Sequence, residues 1–338
     1  MSSKLPLPNS VTTLTPLRIS FMGGGTDLPG YYKEHGGGVV STAIDKYIQV
    51  TVKRHSYLFE EAYRLNYSKT EHVNSLEDIE NDIARECLRL VPVEPPLYIG
   101  TIADLPASSG LGSSSSFAVG LLHALHALRG ERVTPAQLAE EACEVEINIL
   151  GNPIGKQDQY AAAFGGLNHI VFKKNGRVEI DHLVLRNTII EALFSNSVLV
   201  WTGMQRSAST ILEKQSQRVN SLTDRYRDLI LATEELKSLF LNAPDDFLTQ
   251  FGDLLKKAWE VKKSLENSIS CDGIDTLHAE LLRMGSYGGK LCGAGGGGFL
   301  LEIMPPCDQQ KIVSKYGLNR VIKVGYDPIG TRLISAIY

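Results

Sequence analysis

The stretch Pro106 to Ser116, PASSGLGSSSS, places two glycines and six serines directly before the apolar run FAVGLLHAL. Phe117, Leu121, Leu122 and Leu125 recur at helical spacing, so a helix starts here and anchors itself in a core. The first amides of a helix lack partners within it, and its N-terminus carries partial positive charge. Such a start is an anion site when the backbone can come close. Gly110 and Gly112 permit that approach, and the serine hydroxyls add donors. The stretch therefore reads as a phosphate cradle, with a well-capped helix behind a flexible approach as the alternative. It is not a GxxxxGK[ST] loop, because no lysine follows Gly112, and Ser115 occupies the third glycine position of a dinucleotide fingerprint.

A chain of 338 residues fits two domains or one large one. Its formal charge of -4 gives no bulk attraction to nucleic acid or to an anionic membrane, so its partners are expected to be small molecules. Cys87, Cys143, Cys271, Cys292 and Cys307 are scattered and form no CxxC pair, which suits a reducing compartment and argues against a disulfide framework. The first residues show no secretory pattern, and no run approaches eighteen apolar residues. A cytoplasmic protein is predicted.

Along the chain, LTPLRISFM reads as a strand ending in the turn GGGTDLPG, followed by two β-rich segments, GGVVSTAID and KYIQVTVKRH. Residues 75 to 91 carry helical spacing, and PLYIGTIADLP returns to strand. TPAQLAEEACEVEINILG predicts a helix capped by Thr134, with Pro135 at its first position and Gly151 as its stop. GGLNHIVF and RVEIDHLVL are strands. Residues 1–190 form the first region and 191–338 the second. The second opens with the buried strand SVLVWTG, continues through helical segments at about 207–241, 244–267 and 272–285, and closes with strands VIKVGY and RLISAIY. Strands interleaved with paired helices predict an α+β class.

Two further glycine-rich elements stand out. CGAGGGGF, Cys292 to Phe299, matches GxGxxG in letters but follows a helix and precedes a strand, the reverse of the dinucleotide-binding context. Five glycines there imply close approach of a ligand or of another backbone, with a tight turn as the alternative. FMGGGTDLPG presents a single acid, Asp27, at its turn. In GNPIGKQDQYAAAFGG, Asp158 sits among small residues and is a candidate base for phosphoryl transfer, an N-cap being the plainer reading. Glu146 is crowded by Val145, Ile147 and Ile149, so it is expected to point inward, unlike Glu140, Glu141 and Glu144. A carboxylate with a serine oxygen is a sensible protein share of a magnesium shell. His123 and His126 bring no acid in sequence and read as core or surface histidines.

Three of these motifs, in order, resemble the GHMP kinases: PLRISFMGGGTDLPG, PASSGLGSSSS and KLCGAGGGGFLL. GKQDQYAAAFGG resembles the same family's catalytic-aspartate segment, and the similarity spans about residues 15 to 300. The resemblance implies a two-domain α+β fold, with an N-terminal domain like ribosomal protein S5 domain 2 and a ferredoxin-like C-terminal domain. It implies ATP and Mg2+ as cofactors, with Gly110, Leu111, Gly112, Ser113, Ser114 and Ser115 at the nucleotide phosphates and Ser114 and Glu146 on the metal. Asp158 would be the base or orienting charge, with Arg18 beside it. Gly24, Gly25, Thr26, Asp27, Gly295 and Gly296 would line the acceptor.

Gly23 to Leu28, GGGTDL, lack the glutamate and histidine of the galactokinase version GEHTDY, which disfavours galactose. This version, with WTGMQRSAS, looks most like the kinases of D-glycero-α-D-manno-heptose 7-phosphate, acting at the anomeric C1 hydroxyl on the way to a GDP-activated heptose. Arg206 with Ser207, at an expected helix start, is the candidate clamp for the acceptor's own phosphate, against an exposed arginine in a first turn. An L-fucose or other anomeric sugar kinase, or a regulator that has lost catalysis, are the alternatives. Oligomeric state stays open.

Overall fold

The computed structural model describes residues 6–205 and 208–338. The first region runs β1 (Ser10–Met22), α1 (Pro29–His35), β2 (Gly37–Arg54), β3 (Tyr63–Asn66), β4 (Thr70–Val73), α2 (Asp82–Leu90), β5 (Leu97–Ala103), α3 (Ser113–Leu128), α4 (Pro135–Cys143), α5 (Gln157–Phe164), β6 (Leu167–Phe172), β7 (Val178–His182) and α6 (Asn187–Ser195). The second runs β8 (Ser197–Trp201), α7 (Ala208–Arg218), α8 (Thr223–Asn242), α9 (Phe247–Lys263), α10 (Asp272–Arg283), β9 (Gly288–Leu291), β10 (Phe299–Ile303), α11 (Pro306–Tyr316), β11 (Val321–Lys323) and β12 (Arg332–Ile337).

β2 is the spine of an eight-stranded sheet. The two β-rich segments expected between Gly37 and His55 form one continuous strand, because its first half pairs with β6 and its second with β5 while β1 runs antiparallel along nearly all of it. The other face of that register is set by α3, which lies across β1 and β2 beside α2, α4 and α5. Burial in β1 alternates in its first residues and is continuous from Thr15 on. There the second region closes over it: Phe21 meets Phe240 of α8 and Phe251 of α9 edge-on, with centroids 6.1 and 5.2 Å apart.

The second sheet is antiparallel in the order β11-β8-β10-β9. Its succession of strand, helices, two strands, helix and strand is the ferredoxin-like pattern. RLISAIY, assigned to this region by its place in sequence, belongs elsewhere: β12 pairs with β1 at the edge of the first sheet. Its apolar letters identify a strand but not its partner.

Other differences are local. The helical spacing of 75–91 resolves into a short turn at Leu76–Asp78 and α2, whose N-cap Asn81 accepts the Ala84 amide at 3.0 Å. The segment expected as one helix to 241 is broken by a tighter turn at Val219–Leu222. Thr134 caps α4 as expected, accepting the Gln137 amide at 3.2 Å. Beyond Cys143 the backbone widens, so that Leu150 N–H donates to Val145 O five residues back.

Candidate active site

The start of α3 is open. Gly112, its N-cap, has φ +76° in the left-handed region, and no side chain caps the first turn. That sets aside the well-capped alternative and leaves the first amides free to receive acceptor oxygens. Arg18 N–H donates to Leu111 O at 3.0 Å, tying the loop to β1, while Ser116 Oγ donates to Pro16 O at 2.9 Å. Beside Ser113 and Ser114 opens a cavity of about 700 Å3, walled by Ile48, Tyr67, Leu105 and Phe117. Its apolar residues come from β2, β5, the start of α3 and loops, so no single motif in the sequence marks it.

Glu146 points inward, as its apolar neighbours implied, and is fully buried. Ser114 Oγ donates to one carboxylate oxygen, and Gln159 Nε2 donates to the other at 2.7 Å. Burial pushes its pKa up, against hydrogen bonds from Ser114, Ser115 and Gln159. Among the described residues no basic side chain pairs with it, and no group of three or more His, Cys, Asp or Glu forms a metal cage. A lone buried carboxylate with a hydroxyl at an anion-binding helix start fits a hard cation whose other ligands are phosphate and water.

Arg18 and Asp158 form the centre. Arg18, itself 4% exposed, donates Nε to Asp158 Oδ1 at 2.6 Å and Nη2 to Oδ2 at 2.7 Å, and its Nη1 donates to Gly110 O at 2.7 Å. One guanidinium thus fixes the carboxylate and the phosphate loop together. Burial lowers the pKa of Arg18, but the charge and hydrogen bonds of Asp158 raise it more. Arg18, Asp158 and Asp27 border a second cavity, separate from the one beside Phe117, and there Asp27 Oδ1 accepts the Gly25 amide at 2.9 Å and Oδ2 the Gln157 amide at 3.3 Å. Burial first, then the charge of Asp158, raise its pKa.

The remaining wall comes from the second region. Gly293 and Ala294 of the C-terminal glycine loop reach the cavity, with Gln215 of α7 and Lys262 of α9. The close approach predicted for that loop is to other backbone: a Cβ on Gly293 would lie 2.6 Å from Gly110 Cα, and one on Gly298 would lie 2.5 Å from Ser109 O. The two glycine motifs, far apart in sequence, therefore pack against each other. Lys262 is buried and donates Nζ to Gly293 O. Nothing in the charged helical pattern of α9 separates it from its solvated neighbours, so sequence reasoning missed it.

Gly24, Gly25 and Asp27 border the cavity, whereas Thr26 turns inward and donates Oγ1 to Gly23 O at 2.8 Å and Gly38 O at 2.9 Å. Gly295 and Gly296 are buried behind the cavity, where Gly296 N–H donates to Ile269 O at 2.9 Å. Both therefore serve backbone packing in this structure rather than its lining. Arg206 and Ser207 lie outside the described residues. The histidines of α3 are structural: His126 bridges Glu131 and Glu141 at 2.6 and 2.8 Å, and His123 meets Thr331 Oγ1 at 3.1 Å.

Residues 79–166 match the model of the GHMP kinases N terminal domain, and residues 242–316 that of the GHMP kinases C terminal domain. The chain is 30% identical over 313 residues to the D-glycero-alpha-D-manno-heptose 7-phosphate kinase of Campylobacter jejuni, covering 90% of this chain and 92% of that one. It is 24% identical to a galactokinase of Pyrococcus furiosus, over 88% and 89% of the two chains. A D-glycero-D-manno-heptose 1-phosphate kinase from Bacteriodes thetaiotaomicron superposes with a TM-score of 0.78 at 25% identity, over 97% and 99%.

Proposed function

The chain belongs to the GHMP kinases, and from that membership we propose that it moves the terminal phosphoryl group of ATP onto the anomeric C1 hydroxyl of D-glycero-α-D-manno-heptose 7-phosphate. The product is the 1,7-bisphosphate, a precursor of a GDP-activated heptose for surface polysaccharide. The observation that carries this reading is the Arg18–Asp158 pair, set between the phosphate loop at Gly110 and the cavity of Asp27. A carboxylate so held meets an acceptor hydroxyl on one side and a transferring phosphoryl group on the other.

The residues divide the work. The open start of α3, with Gly110 to Ser115, receives the nucleotide phosphates, and the cavity beside Phe117 takes the base. Asp27 accepts from sugar hydroxyls, while Gly24 and Gly25 leave them room. Asp158 takes the acceptor proton as the hydroxyl oxygen bonds to the γ-phosphorus; the bridging P–O bond breaks and its electron pair leaves with ADP. Arg18 keeps the carboxylate in one orientation, so the acceptor oxygen is presented in line. Ser114 and Glu146 would hold a magnesium ion, which when bound offsets the charge of the phosphates.

Two relatives bear phosphorylated heptoses in their names, which supports a phosphorylated heptose here over galactose. The free cysteines support a cytoplasmic setting, and among the described residues no helix is long and apolar enough to cross a membrane. The experiment is 31P NMR of the product formed from Mg-ATP and the heptose 7-phosphate. A new phosphomonoester coupled to the anomeric proton supports the assignment; a new signal coupled to any other sugar position contradicts it.

A further inference from the structure

Lys262 poses a question of charge. It is 7% exposed, in the wall of the acceptor cavity, and an ammonium has three N–H donors to satisfy. One goes to Gly293 O. The two carboxylates of the cavity are already engaged, Asp158 with both Arg18 nitrogens and Asp27 with the amides of Gly25 and Gln157. Among the described residues Lys262 forms no ion pair. A buried cation without a counter-charge is costly, and a well-occupied site would supply one.

The groups around it are also unsatisfied. A Cβ placed on Gly24 would lie 3.6 Å from Ser20 Oγ, 3.8 Å from Gln157 Nε2 and 4.0 Å from Lys262 Nζ, so three polar groups from both regions converge on the space a bare Cα leaves. Ser20 Oγ, Gln157 Oε1 and Gln215 Nε2 are out of solvent with no hydrogen-bond partner among the described residues, and these three border the same cavity as Lys262. Such groups are rarely orphaned in a folded protein unless a ligand or water meets them. Donors outnumber acceptors here, which fits the oxygens of an anion better than a set of sugar hydroxyls.

We infer that Lys262, with Ser20 and Gln215, forms an anion subsite in the acceptor cavity that takes the phosphate already carried by a phosphorylated sugar. The inference rests on the acceptor reading above and assigns to α9 a clamp that the sequence placed at Arg206. Burial, with the charge of Arg18 adding to it, holds the Lys262 ammonium down to about 8. A bound phosphate would restore the charged form. The subsite makes the enzyme selective by charge: a neutral sugar entering the cavity leaves the ammonium uncompensated, whereas a phosphomonoester completes it.

The test compares wild-type and Lys262→Met proteins. The first readout is the ratio of kcat/KM for D-glycero-D-manno-heptose 7-phosphate to that for the unphosphorylated heptose. Loss of a charged hydrogen bond predicts that this ratio falls by roughly 30-fold, carried by KM of the phosphorylated acceptor. Equal losses on both sugars, expressed in kcat, would place Lys262 on the transferring phosphoryl group and overturn the subsite. The second readout is calorimetric titration of Mg-ADP-loaded protein with the heptose 7-phosphate, which needs no turnover. Weakening by a similar factor in Lys262→Met supports the subsite; equal affinity in both proteins, or no binding by the wild type, overturns it. If the wild type phosphorylates neither sugar, the proposed activity fails and the titration still decides the subsite. Thermal melting of Lys262→Met is expected to match or exceed the wild type, since a buried charge is removed at similar volume. Gln215→Leu, on a different helix, should lower the same ratio by about threefold.

Discussion

Arg18 on β1 and Asp158 on α5 stand 140 positions apart in the chain and meet through two parallel bonds of 2.6 and 2.7 Å. The same guanidinium reaches Gly110 O, so the Asp158 carboxylate and the glycine loop before α3 share one support. Asp158→Asn is expected to lower kcat by about 10²- to 10⁴-fold, the usual contribution of a positioned base, while ADP affinity stays within about threefold by calorimetry. Arg18→Lys keeps the charge and loses the fork, and should also act through kcat. A fall in ADP affinity as large as the fall in kcat for Asp158→Asn would contradict the assignment.

Two glycines give a crossed pair of predictions. A Cβ on Gly155 would lie 1.9 Å from Asp27 Oδ2, so Gly155→Ala displaces the acceptor-side carboxylate and should raise the acceptor KM about tenfold or more while sparing that of ATP. Gly110 has φ +81°, and a Cβ there would lie 2.6 Å from Cys292 O. Gly110→Ala should do the reverse, raising the ATP KM above that of the acceptor. Steady-state kinetics with each substrate varied in turn distinguishes the two patterns.

Glu146 sets stability against activity. Its pKa is raised in the fold by burial, so the folded protein holds this proton more tightly than the unfolded chain does. Stability contributed by the neutral form is present at low pH and is lost as pH rises from the unfolded carboxylate value, about 4.3, through the folded one. Glu146→Gln removes that loss. Its melting temperature without divalent cation at pH 8 is expected to exceed the wild type's by a few degrees, on the order of 1 kcal/mol, with kcat reduced at least about 100-fold. Added Mg2+ with ADP should then raise the wild-type midpoint more than the variant's.

A second pH dependence comes from Lys290 on β9, which donates Nζ to Ser20 O at 2.8 Å and Phe21 O at 3.1 Å. Burial first, then the charge of Lys262, pull its pKa down to about 7. Between there and the ordinary lysine value of about 10.4, the unfolded chain holds a proton that the folded protein has released. Stability therefore rises with pH across that window. The wild type measured against Lys290→Met by denaturant unfolding at pH 7 and pH 9.5 should gain stability on the alkaline side; a gap that is constant or shrinks contradicts the assignment.

Much of the site could be read from the chain because its motifs are local. The serine-glycine run before α3, the Asp27 turn and the Asp158 segment each carry their geometry within a few residues, and the inward turn of Glu146 follows from the apolar side chains beside it. What escaped needed contacts between distant segments. The single strand β2 depends on two different partners along its length, and β12 finds β1 only once the second region is complete. Lys262 resembles Lys256 and Lys257 in sequence and differs only in facing the glycine loop. Gly295 and Gly296 share the motif of Gly293 but meet Ile269, a distinction that residue type alone does not carry.

The most direct measurement is ADP release from Mg-ATP by the wild-type protein with D-glycero-D-manno-heptose 7-phosphate, beside the unphosphorylated heptose, fucose and galactose. The expectation is rapid release with the heptose 7-phosphate, a much lower kcat/KM with each neutral sugar, and near-silence from Asp158→Asn. Release at one rate with and without acceptor, or none with the heptose 7-phosphate under conditions where ATP binds, would contradict it.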